Sequence, residues 1–224
     1  MKPLAAECFG TFCLVFAGTG AIIADDVSGG RVTHVGVALV FGFAVMAMIN
    51  ALGDLSGAHL NPAVSIGMWA AGRLRPARTA AYVAAQVVGA CAASGVLRVL
   101  FPDHVGLGAT RPAGPAWQSF VLELVLTFML MVVILRVSSG PKERGLTAGA
   151  AVGAVIAMEA LFAGPISGGS MNPARSIGPA VVTARAAELW IYVAAPIAGA
   201  LAGVVAFRLL QDDPPDPVRQ PPAA

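Results

Sequence analysis

The stretch "SGAHLNPAVSIG" at residues 56–67 returns as "SGGSMNPARSIG" at residues 167–178, with eight of the twelve positions identical. In both copies a small, glycine-bearing run leads into Asn-Pro-Ala, at Asn61, Pro62, Ala63 and again at Asn172, Pro173, Ala174. Asparagine suits a helix N-cap, and proline loses nothing at the first helical position, where its missing N–H has no intrahelical partner. The apolar runs that follow, Pro62–Ala71 and Pro173–Thr183, hold ten and eleven residues. At 1.5 Å per residue that is roughly 15 Å of helix, half the thickness of a bilayer core. Each copy therefore reads as an extended loop that dips into a membrane and a half-helix that returns to the side it came from.

The rest of the chain supplies the membrane-spanning context. Of 224 residues, 57% are hydrophobic and 12% charged, against about 25% charge in soluble domains; mean hydropathy is +0.78. Six apolar stretches near 4–24, 35–53, 79–97, 117–135, 146–164 and 189–207 approach the roughly 20 residues a spanning helix needs. The first begins with a single Lys2, contains Glu7 and has no clear cleavage site, so it is expected to stay as a helix. A formal charge of +2, with no basic face, argues against nucleic acid. Cys8, Cys13 and Cys91 lie in apolar spans, and His34, His59 and His104 lack ligand spacing, so no disulfide, metal site or cofactor is expected. The Pro-rich tail 211–224 is expected to be disordered.

Glu7 opens "ECFGTF" and Glu123 opens "ELVLTF", and from each the chain runs through two spans to an Asn-Pro-Ala triplet and then a third span. Three spans per half is an odd number, so the second half enters from the opposite face and the halves are inverted copies. The half-helices then meet tip to tip near mid-membrane, where irregular backbone is tolerable only if buried or lining a wet cavity. The loop backbones of Gly57, Ala58, His59, Gly168 and Ser170 are expected to line it with carbonyls. The Asn61 and Asn172 amides would donate at its centre, beside two positive helix ends. Glu7 and Glu123 are read as anchors that accept loop N–H groups. Arg175 replaces the Val64 of the first copy. Its fixed charge and five donors suit a filter that grips a solute oxygen and repels cations. Asp54 reads as a residue of the pore mouth or a solvated helix end. Glu159 reads as a partner of loop N–H groups or of a neighbouring subunit. Arginines 73, 75 and 78, with Arg136, Lys142 and Arg144, put linkers two and four, and both termini, in the cytoplasm.

Paired "SGAHLNPAV" and "SGGSMNPARS", with the two E-x-x-x-T-F segments, make residues 3–210 resemble the aquaporin, or major intrinsic protein, family. The resemblance implies an all-α membrane protein with six transmembrane helices, two re-entrant half-helices and an inverted internal repeat. It implies one channel domain over 1–210 (repeats 1–101 and 117–210, linker 102–116), a homotetramer in the cell (inner) membrane, and passive conduction. Counted from the asparagines, the family's filter positions fall on Phe41, Ala160, Gly169 and Arg175. Strict water channels carry histidine where this chain has Ala160, so the constriction is expected to be wide. Glycerol channels carry two aromatics and an Asp after the arginine, whereas this chain has Phe41 alone and Ser176. The segment "LFAGPISGGSMNPARSIGP" looks most like nodulin-like intrinsic proteins, which pass glycerol, urea and metalloid hydroxides such as arsenite and boric acid.

The expected function is a passive channel for such neutral solutes and water, closed to ions and protons. A water-selective pore is the nearest alternative. A coupled secondary transporter also uses inverted repeats and broken helices, but needs a titratable group in the solute path. An enzyme is disfavoured because no nucleophile–base pair accompanies the triplets.

Overall fold

The computed structural model describes residues 1–139 and 146–210; Lys142, Arg144 and the tail 211–224 lie outside them. Eight helices are described: α1 (Lys2–Ser28), α2 (Thr33–Ser56), α3 (Pro62–Ala70), α4 (Pro76–Leu100), α5 (Ala116–Val137), α6 (Leu146–Ser167), α7 (Pro173–Thr183) and α8 (Leu189–Leu209). No strand occurs among the described residues. Six helices are long and apolar enough to cross a membrane, and α3 and α7 are the half-helices. The spans run past their apolar stretches: α1 continues beyond Ala24 through Asp25 and Asp26 to Ser28. At 27 residues it is about 40 Å long, more than a ~30 Å hydrocarbon core. The half-helix α3 ends at Ala70, one residue earlier than its apolar run suggested.

The packing repeats across the two halves. Helix α1 lies on α4 as α5 lies on α8, and each half-helix packs against the third span of the opposite half, α3 on α8 and α7 on α4. Gly89 faces the Cys8 carbonyl, where an added Cβ would fall 2.1 Å from the oxygen; Gly199 faces the Leu124 carbonyl, where it would fall 2.2 Å away. Without a hydrophobic drive between helices in lipid, such small-residue contacts let backbones close up and gain dispersion contact. A buried cluster containing Leu14, Phe41, Val45, Leu60, Leu126, Leu130 and Met171 joins the two halves around the central cavity.

Candidate pore and selectivity site

The half-helices begin as their sequence dictates. Asn61 and Asn172 are the N-caps, both extended, and each is followed by proline at the first helical position. The Ala63 N–H donates to Asn61 Oδ1 at 2.9 Å, and the Ala174 N–H donates to Asn172 Oδ1 at 3.0 Å. With each Oδ1 held by its own helix, each side-chain NH2 points away from it. Asn61 Nδ2 donates to the Met171 carbonyl at 2.8 Å, and Asn172 Nδ2 donates to the Leu60 carbonyl, also at 2.8 Å. An amide NH2 has two donors, so one N–H of each asparagine stays available to the cavity that both line. Pro62, Ala63, Pro173 and Ala174 are buried behind them.

The residues before the asparagines are bent. Ala58, Leu60 and Met171 have φ of 45°, 51° and 54°, a left-handed conformation that costs a side-chain-bearing residue of order 1–3 kcal/mol. Two buried carboxylates hold them there. Glu7 Oε1 accepts from the His59 N–H and Ser56 Oγ, and Oε2 accepts from the Leu60 N–H and Gln86 Nε2, all at 2.7–2.9 Å. Glu123 Oε1 accepts from the Ser170 N–H and Ser167 Oγ, and Oε2 from the Met171 N–H, at 2.7–2.8 Å. Tyr82 and Tyr192 complete the symmetry by donating to the carbonyls of Ser56 and Ser167. The serines, tyrosines and Gln86 are partners that sequence reasoning missed. A signal was present: Ser56 and Ser167 open the two twelve-residue copies, and the tyrosines follow at nearly equal distances.

Two cavities meet at Arg175. The inner one, about 110 Å³, is lined by Gly57, Ala58, His59, Asn61, Ser170 and Asn172 on its polar side, and by Val45, Ile49, Val152 and Ile156 among its apolar residues. The outer one, about 220 Å³, brings together Phe41, Ala160, Gly169 and Arg175, with Gly168, Thr110 and His34. Phe41, Gly169 and Arg175 line both, so they form the neck between them. Arg175 is only 2% exposed. Its Nη1 donates to the Gly108 carbonyl at 2.7 Å, and its guanidinium sits 5.1 Å from the centre of the Phe41 ring, within cation–π range.

Gly108 belongs to the stretch between α4 and α5, which sequence reasoning treated only as a linker. That stretch reaches the neck: Thr110 Oγ1 donates to Ser176 Oγ, which in turn contacts Ser170 Oγ at 2.6 Å. Asp54 is exposed at the end of α2. Glu159 matches neither expectation. It is fully buried, so it does not face a neighbouring subunit, and neither carboxylate oxygen has a partner among the described residues. Those residues also hold no group of three or more side chains able to bind a metal ion.

A bundle of six apolar spans with a narrow path, polar along one side, into which two opposed half-helices reach, defines a channel. A family model described as Major intrinsic protein matches residues 1–207. The chain is 50% identical over 212 residues to aquaporin NIP1-4 of Oryza sativa, covering 94% of this chain and 77% of that one. It is 38% identical over 212 residues to nodulin-26 of Glycine max, covering 94% and 78%. Its fold superposes on the aquaglyceroporin of Plasmodium falciparum with a TM-score of 0.85 at 26% identity, covering 93% and 96% of the two chains. The chain belongs to the major intrinsic protein family. It is a multi-pass membrane protein and a passive channel for water and small neutral solutes, not an enzyme.

Proposed function

We propose that the channel passes hydroxylated neutral solutes (glycerol, urea and metalloid hydroxides such as arsenite and boric acid) together with water, and excludes ions and protons. The observation that carries this reading is the neck itself. A buried guanidinium and the Phe41 ring face Gly169, which has no side chain, with Ala160 just outside. Arg175 holds a solute oxygen and repels cations, Phe41 covers the carbon face, and Ala160 and Gly169 leave room for a chain of several atoms. At the centre, the free N–H of Asn61 and of Asn172 orients one solute or water oxygen, and an oxygen that accepts from both cannot relay a proton.

Residues 1–210 act as one channel domain, four copies assemble as a homotetramer, and the protein resides in the cell (inner) membrane. Arg73, Arg75, Arg78 and Arg136 favour a cytoplasmic placement for their loops, which puts both termini in the cytoplasm and Arg175 on the extracellular side of centre. The resemblance to aquaglyceroporins and nodulin-like proteins supports the solute class and the tetramer. The test is stopped-flow light scattering on vesicles of the purified protein in a glycerol gradient. Shrinkage followed by reswelling faster than in empty vesicles is the expected trace. Fast shrinkage with unaccelerated reswelling would make the pore water-selective.

A further inference from the structure

Helix α6 contains Pro165, which has no N–H to give the carbonyl four residues earlier. That carbonyl is Leu161 O, and it accepts from a side chain of another helix: His34 Nε2 lies 2.7 Å from it. The imidazole fits because residue 164 is glycine. A Cβ there would stand 2.6 Å from His34 Cε1. The approach to His34 is also constrained. Thr33, immediately before it, has φ of 64°, a rare conformation for a β-branched residue, and its N–H donates to Asp25 Oδ1 at 2.7 Å. Proline, glycine, a strained threonine and an aspartate thus converge on the placement of one ring.

The ring lines the outer cavity with Phe41, Ala160, Gly169 and Arg175. It lies two helical turns above Phe41 on α2, beside the space that Ala160 and Gly164 leave open on α6. Since Nε2 faces a carbonyl, it must carry the proton. In the neutral ring Nδ1 is then an acceptor, and it has no protein partner among the described residues. Arg175 offers only donors. His34 is exposed on this cavity, which Asp25 and Asp26 also line. With Arg175 the cavity brings together acceptors and a donor for a group that is both, which is the chemistry of a hydroxyl.

We propose that His34 is a specificity-determining residue of the channel, accepting a hydrogen bond from a solute hydroxyl at Nδ1 while Arg175 donates to a solute oxygen. This rests on the reading of the pore as a polyol-permeable channel and adds a polar contact outside the four filter positions. It also accounts for the spacious filter: the imidazole enters from α2, one layer further out, instead of from α6 at position 160.

The test measures glycerol and water permeability in the same vesicles. His34→Phe keeps the ring but loses the donor and the acceptor. The glycerol-to-water ratio is expected to fall about threefold to tenfold, the range that one hydrogen bond spans. His34→Gln keeps one donor and one acceptor and should retain most of the ratio. Pro165→Ala leaves His34 intact but restores an amide to Leu161 O; release of the ring should lower the ratio in the same direction. An unchanged ratio in both His34→Phe and Pro165→Ala overturns the proposal. So does an equal fall in His34→Phe and His34→Gln, which would assign the histidine to packing. Should His34→Phe fail to fold, Pro165→Ala alone decides between the two outcomes. A wild-type protein that passes water but not glycerol defeats the polyol reading instead, a result visible before any variant is made.

Discussion

Gly42 of α2 and Gly153 of α6 each lie against the other's backbone: a Cβ on either would fall 2.6 Å from the carbonyl oxygen of its partner. Their numbers differ by 111, the same interval that separates Asn61 from Asn172 and the two twelve-residue copies. The contact therefore sits on the pseudo-two-fold axis. The reciprocal bonds from Asn61 to Met171 and from Asn172 to Leu60 follow the same symmetry. One axis passes through a steric contact between two spans and relates the polar lock between the two half-helices.

Gly153→Val must force α2 and α6 apart, since the clashing atom is backbone carbonyl and cannot swing away. A loss of about 1–3 kcal/mol is expected, the usual cost of overpacking. Gly42→Val should cost about as much by symmetry. Gly95, inside α4 with nothing within 4 Å of its Cβ position, is the control; Gly95→Ala should leave stability unchanged or raise it by up to about 1 kcal/mol, the helix preference of alanine over glycine. Thermal unfolding in detergent, read by the temperature at which the protein aggregates, separates these outcomes.

Glu123→Gln replaces one carboxylate oxygen with an NH2 in a pocket where three donors converge: the Ser170 and Met171 N–H groups and Ser167 Oγ. At least one buried donor then loses its acceptor, at about 1–3 kcal/mol. Because the released loop carries Gly168 and Gly169, glycerol permeability should fall together with stability. Glu7→Gln should cost more, since Glu7 also accepts from Gln86 Nε2. Equal stability of both variants with the wild type would remove the carboxylates from the role of loop anchors.

How much of this was readable beforehand follows from where each signal lies. The half-helices and their caps were legible because Asn-Pro is a local instruction, and the inversion followed from an odd number of spans. Glu7 and Glu123 were legible because the repeat marks them twice. By contrast, Gly108 and Thr110 reach the neck, and His34 the outer cavity beyond it, through tertiary paths. Nothing in "HVGLGAT" says that a connection of this length folds inward to meet Arg175, and His34 bonds across 127 residues to a carbonyl that only a proline elsewhere sets free. The helix ends were misjudged at Asp25 and Asp26 because hydropathy stops at the first charges, whereas a helix continues while its backbone bonds are satisfied.

Arg175→Val installs the residue that the first half carries at Val64, so helix α7 should tolerate it. The neck loses its fixed charge, and the Gly108 carbonyl loses its donor. At an effective dielectric of 20, a cation 4 Å from the guanidinium feels about 4 kcal/mol of repulsion. Recovering even a third of that corresponds to about tenfold in permeability. Proton and potassium fluxes, followed with an entrapped pH dye and an ion-selective electrode, should rise by at least about that factor. Fluxes that stay at the wild-type level would assign cation exclusion to the half-helix ends instead.

Glu159 is the residue that the repeat does not explain. Its equivalent at the 111-residue interval is Met48, a partly buried methionine in the core. Glu159 itself is 0% exposed, with both oxygens unpartnered among the described residues. A buried polar group with no hydrogen bond costs of order 1–3 kcal/mol. Glu159→Met, which copies the first half, is therefore expected to stabilise the protein by about that amount and to leave glycerol permeability within about twofold of wild type. The decisive reading is the direction of the thermal shift. A destabilised Glu159→Met would mean that the carboxyl is satisfied in the folded channel by an ordered water, and a fall in permeability would move that water into the solute path.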